Sequence, residues 1–222
     1  MNNYKKLLNY FKKWEGAGMT GLGMLIVGFL FLWVGRSFFT YVLSIVLFIV
    51  GGIFFLYGNM GRATESDLKE LIAQRKEKGQ LPAIEEDRTF RSRLPKTVEE
   101  LEFEGYNFRD GVIYKRMKNS SLISSEYTYA HMKILNDAFY VKTTVFSMIE
   151  DKKSEEILDI PFSSVKSITI ERERNNYPVG KKFYPASTCL VVFTYGDGQQ
   201  LRLPKRDDIY VDELVEKLNK LI

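Results

Sequence analysis

Two uncharged stretches, residues 16–35 and 37–61, lie back to back near the N-terminus with a single charge, Arg36, between them. Each matches the roughly 20 residues that a helix needs to cross a hydrocarbon layer of about 30 Å. The alternative is a pair of buried helices in a soluble core, but core helices seldom stay uncharged over such a length. The expectation is a transmembrane helical hairpin over residues 16–61.

The flanks orient that hairpin. Residues 1–63 carry Lys5, Lys6, Lys12, Lys13, Arg36 and Arg62 against Glu15 alone, so of the net charge of +4 the remaining residues account for −1. The basic excess therefore sits beside the apolar stretches, which argues against a nucleic-acid partner, since that would need a basic folded domain. Lys5, Lys6, Lys12 and Lys13 precede the first stretch, and Arg62, Lys69, Arg75, Lys76 and Lys78 follow the second. By the positive-inside bias this places a multi-pass protein in the cell (cytoplasmic) membrane with both termini inside and the short turn outside. Within residues 1–15, Tyr4, Leu7, Leu8, Phe11 and Trp14 recur at helical spacing between the lysines. That pattern is a basic amphipathic segment at the headgroup level, its alternative being a frayed tail.

Small residues repeat along the hairpin. Gly21, Gly28 and Gly35 are spaced by seven, as are Ser44, Gly51 and Gly58. Folding about Arg36 sets Gly28 opposite Ser44 and Gly21 opposite Gly51, which would let the helices approach closely in a left-handed crossing.

Chemistry-bearing residues are sparse. Cys189 is the one cysteine and His131 the one histidine, so an intramolecular disulfide is excluded and a His/Cys metal site or nucleophilic triad has little material. No phosphate-binding glycine loop appears, and the adjacent acids Glu99-Glu100 and Glu155-Glu156 diverge on any regular element. The reading is a non-enzymatic protein with no cofactor and no metal.

Beyond the membrane, Thr64 is placed to cap a helix over 65–78, and residues 62–109 read as that helix followed by a charged linker. From residue 110 the hydrophobic period becomes two. About seven short antiparallel strands are expected, among them 112–117, 125–135, 138–146, 187–195 and 199–203. In the 125–135 strand Tyr127, Tyr129, His131, Lys133 and Leu135 share one face, and residues 172–184 read as a long polar loop. An amphipathic helix from about Asp207 closes the chain.

The motif Ile160-Pro-Phe-Ser-Ser-Val-Lys-Ser-Ile168, then Leu190-Val-Val-Phe-Thr-Tyr-Gly-Asp-Gly198, then Leu201-Arg-Leu-Pro204 and the closing helix, resembles the bacterial PH-like or GRAM-like domain. The resemblance covers residues 110–222 and implies a mainly-β barrel capped by the C-terminal helix. It also implies a basic cluster at the first strand, which here is Lys115, Arg116 and Lys118; the return strand, with Glu126, His131 and Lys133, departs from the lipid-binding pattern. A second basic and aromatic group lies at Arg172, Arg174, Tyr177, Lys181, Lys182 and Phe183. Either set can serve a protein partner or anionic lipid, and either can be an ordinary solvated surface. The functional expectation is a membrane-anchored binding or scaffolding module; the alternative is an accessory subunit of a larger transporter or envelope complex, joined through its hairpin.

Overall fold

The computed structural model describes residues 3–12, 16–59, 63–81, 99–117, 119–207 and 209–222. Lys13, Trp14, Gly61, Arg62, Lys118 and the 83–98 portion of the linker lie outside the described residues. The chain divides into two compact units, residues 1–68 and 69–222.

In the first unit, α1 (Asn3–Lys12) is followed by α2 (Ala17–Val34) and α3 (Phe38–Asn59). The latter two, of 18 and 22 residues, are long and apolar enough to cross a membrane. At 1.5 Å per residue they reach about 27 Å and 33 Å. They pack against each other on a seam of small residues: Gly21, Gly28, Ser44, Gly51 and Gly58 are buried, while Phe29, Trp33, Phe38 and Ile49 face outward and are exposed. The Ser44 hydroxyl donates to the Gly28 carbonyl at 2.6 Å, which satisfies this buried polar side chain within apolar surroundings. A Cβ on Gly21 would stand 2.6 Å from the Gly51 carbonyl oxygen, and one on Gly58 would stand 2.6 Å from Gly18 Cα. Gly35 lies at the turn, close to Thr40 rather than on the seam. On α1, Leu7, Tyr10 and Phe11 are buried, and the Lys6 carbonyl accepts the Ala63 amide at 3.3 Å.

Helix α4 (Glu65–Gly79) starts with a reciprocal cap. Asp67 N donates to Thr64 Oγ1 at 3.2 Å, and Asp67 Oδ2 accepts from Thr64 N at 2.6 Å and Thr64 Oγ1 at 2.8 Å. These bonds hold the exposed Asp67 carboxyl below the usual carboxylate range.

The second unit is built from three antiparallel sheets. β1 (Glu99–Tyr106), β4 (Glu126–Ile134), β5 (Ala138–Ser147) and β6 (Lys153–Pro161) form the first sheet, in that order. β2 (Tyr114–Arg116) and β3 (Leu122–Ser124) form a small hairpin inserted between β1 and β4. β7 (Val165–Val179), β8 (Lys182–Tyr195) and β9 (Gln199–Pro204) form the third sheet, and α5 (Ile209–Asn219) follows. The inner faces of the two larger sheets supply Phe103, Met132, Phe139, Val141, Val191, Phe193 and Leu203, and α5 adds Val211, Val215 and Leu218.

Four features differ from the sequence reading. Nine strands, not about seven, lie among the described residues. β1 falls inside the stretch read as linker: Leu101 and Phe103 alternate inward between glutamates, and residues rich in Glu carry little strand signal. Residues 172–184 are paired strands instead of a loop, with the chain reversing at Gly180, whose φ of +63° suits the first position of a two-residue hairpin turn. The sheets are not closed into a barrel. Where β9 comes alongside β1, Pro204 rests on Gly105, and a proline has no N–H for a ladder; the Glu102 carbonyl is taken by Lys205 Nζ at 2.8 Å instead.

Candidate functional site

Two surfaces of the second unit gather polar and aromatic side chains, and they do different things. The first is the outer face of the four-stranded sheet. Because paired residues share a face, Glu100, Glu102 and Glu104 of β1 stand beside Lys133, His131 and Tyr129 of β4. Both faces of β4 are therefore buried, one by the core and one by the end of α4 and the residues after it. Gly79 sits on the Tyr129 ring, where a Cβ would be 2.8 Å from the ring edge. Lys76 Nζ reaches Glu102 at 3.2 Å and Glu104 at 3.0 Å, and Lys142 Nζ donates to the Lys78 carbonyl at 3.3 Å. The Leu81 amide donates to His131 Nδ1 at 3.0 Å, so Nε2 carries the ring proton and offers it to Glu100 at 3.3 Å. His131 is thus a buried structural bracket.

The charges of this clasp are tuned by their neighbours. Burial disfavours the ionised form of Glu102, but the Lys76 ammonium and the Tyr129 hydroxyl, which donates at 3.0 Å, outweigh it and hold the carboxyl below the ordinary glutamate range. Burial likewise works against the Lys76 ammonium, and the bonds to Glu104 and Glu102 override it and raise its pKa. Burial first, then the carboxylates they bind, push the phenols of Tyr127 and Tyr129 well up, so both stay protonated as donors. A lowered carboxyl contributes stability that is complete above its unfolded value, about 4.3, and is lost as pH falls through the lower folded value. Protection of the Leu81 amide, its exchange relative to an unstructured peptide at the same pH, should therefore fall as pH drops below about 4, and Glu102→Gln should remove that acid-dependent step. Unchanged protection between neutral and strongly acid pH would show that the carboxylates do not hold the clasp.

The second surface is the distal arm of β7 and β8. Direct cross-strand pairs assign its two faces. Tyr177 and Tyr184 lie on one face, and it is covered: Tyr177 packs 5.0 Å from both Phe108 and Tyr114, and the Arg116 guanidinium lies 5.0 Å above the Tyr184 ring. Arg116 also donates to Ser120 Oγ at 2.9 Å, and Lys115 is buried in β2. The other face carries Arg174, Pro178, Phe183 and Pro185, all exposed, Phe183 to 70%.

The structure therefore sorts the candidate residues. Arg172 is bound to Asp207 at 2.8 Å and Asp212 at 2.7 Å, joining β7 to the start of α5, and both bonds raise its pKa further. Lys115 and Arg116 belong to the packed side, and Lys118 lies outside the described residues. Arg174, Lys181, Lys182 and Phe183 stay on the open side or at the tip, exposed to solvent. Phe108 and Tyr114, which fix the arm, were not singled out in the sequence; their signal was only an aromatic at each end of a glycine-containing turn.

A groove of about 850 Å³ runs beside the arm, bordered by Tyr106, Phe108, Tyr177 and Pro185. Three of its four cations are engaged internally, Arg109 with Glu126 at 2.6 Å, Arg202 with Glu171 at 3.4 Å, and Lys205 with the Glu102 carbonyl, and the fourth, Arg206, is exposed. Among the described residues no group of three or more His, Cys, Asp or Glu is placed to hold a metal ion. Cys189 is buried, and burial pushes its thiol up, away from the reactive thiolate. No family model, curated protein or solved structure matches the chain.

Proposed function

We propose that the chain is a membrane-anchored interaction module without enzymatic activity. The α2–α3 hairpin crosses the cytoplasmic membrane, with both termini inside, and holds a PH-like domain at the inner leaflet. There the domain meets a protein partner or anionic lipid. The observation that carries the reading is the division of surfaces on the two helices: polar and small groups turn inward onto one seam, and the outward surface is aromatic and aliphatic along its length. A four-stranded sheet, a three-stranded sheet and a closing helix, in that order, support the PH-like resemblance, from which the unclosed sheets and the inserted β2–β3 hairpin depart. Holding a weak binding domain at a surface raises its effective concentration there, so modest contacts suffice.

The test is cysteine accessibility in intact cells on a Cys189→Ala background. Ser37→Cys, in the turn between α2 and α3, should react with a membrane-impermeant maleimide from outside. Asp197→Cys, in the exposed β8–β9 turn, should react only after permeabilisation. Reaction of both from outside, or of neither, overturns the proposed topology.

A further inference from the structure

We infer that the open face and tip of the β7–β8 arm are a lipid-docking blade, with Phe183 entering an anionic bilayer surface, and Arg174 on that face and Lys181 and Lys182 at the tip meeting its phosphates. The inference rests on the membrane-anchored reading above and names the partner of its exposed surface.

Three observations converge on it. First, the arm is stiffened from one side only. Tyr177 is held between Phe108 and Tyr114, and Tyr184 lies under Arg116, so the opposite face is presented outward as a ribbon. Pro178 stands directly across from Phe183 on that face, and Pro185 directly across from Asn176. Prolines and a hairpin turn leave this tip little conformational freedom to lose on docking.

Second, the charge on the arm beyond Glu173 has one sign. No carboxylate occurs between Glu173 and Asp197, while Arg174, Lys181 and Lys182 fall within that span. Two arginines nearer the body of the domain, Arg172 and Arg202, are consumed by Asp207, Asp212 and Glu171; no such ion pair engages Arg174, Lys181 or Lys182 among the described residues. Three cations near an anionic leaflet raise partitioning on the order of a hundredfold, a gain that salt suppresses.

Third, the shape suits a bilayer better than a protein. Phe183 projects from a narrow two-stranded ribbon, 70% exposed, with Lys181 in the adjoining turn and Lys182 on the reverse side, whose long stems let their charges reach the headgroups as the ring goes deeper. The groove beside the arm reaches Pro185 but is not lined by Arg174, Pro178 or Phe183. An acidic protein surface is the competing occupant, and the experiment separates it.

The full-length chain, as Cys189→Ala with Phe183→Cys carrying an environment-sensitive fluorophore, is reconstituted into vesicles of phosphatidylcholine alone or mixed with phosphatidylglycerol. The expected result is a blue shift, with quenching by acyl-chain-labelled lipid, in the anionic vesicles only. High salt should abolish it, as should Arg174→Gln, Lys181→Gln and Lys182→Gln together, and the same probe at Asp197→Cys should show neither change. A probe that stays in water while the chain floats with the anionic vesicles overturns the lipid blade and leaves the hairpin anchor standing. A chain that fails to enter vesicles of either kind overturns the anchor, and the blade with it. An equal shift in both lipids overturns charge recognition. A probe shielded in native membranes but not in anionic vesicles assigns the arm to an acidic protein instead.

Discussion

Replacing Gly21 by leucine is expected to prise α2 from α3, whereas the same change at Gly23, two residues along, is expected to leave the hairpin intact. The difference lies in what a side chain would meet. At Gly21 the first carbon alone would stand 2.6 Å from the Gly51 carbonyl oxygen and 2.8 Å from Phe55 Cα, and backbone cannot swing aside as a flexible side chain does. At Gly23, and at Gly52 on α3, nothing lies within 4 Å of the added carbon. Overpacking a fitted contact costs about 1–3 kcal/mol and sometimes more. Here separation would also strand the Ser44 hydroxyl, whose bond to the Gly28 carbonyl depends on the close approach. The readout is disulfide formation between Gly28→Cys and Ser44→Cys. It should proceed in the otherwise unchanged chain, in Gly23→Leu and in Gly52→Leu, and fail in Gly21→Leu. Equal crosslinking in all four would mean the helices do not meet on this seam.

A comparably large loss is expected for Leu218→Ala. Leu218 is fully buried and, with Val211 and Val215, closes the core formed by the two larger sheets. Truncating such a leucine costs about 2–5 kcal/mol, depending on how far the site collapses. Small domains have roughly 5–15 kcal/mol in all, so the denaturant midpoint should fall steeply with little change in slope. Tyr210, on the same helix but 66% exposed, should tolerate alanine within about 0.5 kcal/mol. Ending the chain after residue 208 removes all three anchors and should abolish cooperative unfolding of the β unit. A sharp transition surviving that cut would show that α5 is dispensable.

The coarse plan was legible because its signals are strong. Two uncharged stretches of membrane length, a change of hydrophobic period near residue 110 and a terminal amphipathic helix each speak through many residues at once. What escaped depends on partners far apart in sequence. β1 reads as charged linker because its glutamates become useful only when Lys76, Tyr127 and Tyr129 arrive from elsewhere. Residues 172–184 read as loop because Asn, Pro and Gly dominate locally, yet Phe108 and Tyr114 hold the arm from another hairpin. Basic residues were visible as letters, but their availability was not. Arg172 and Arg174 look equivalent in sequence, and only the fold shows that two aspartates engage the first. The same holds for the glycines, since Gly21 and Gly23 differ only in which of them has backbone against it.

β7 is also the outermost strand of its sheet, with β8 on one side and no further strand on the other among the described residues. Asn219 occupies a short part of that rim by imitating a neighbouring strand: its side-chain amide donates to the Ile168 carbonyl at 2.8 Å and accepts the Ile168 amide at 3.2 Å. Beyond it runs Glu171-Arg-Glu-Arg174. If two copies of this chain joined along that rim in a two-fold antiparallel arrangement, residues facing each other would share a side of the sheet and so have numbers of equal parity. Glutamate would then face glutamate and arginine would face arginine, which is repulsive. The alternation therefore works against self-pairing of this rim into a dimer, while leaving it open to a strand of different charge order.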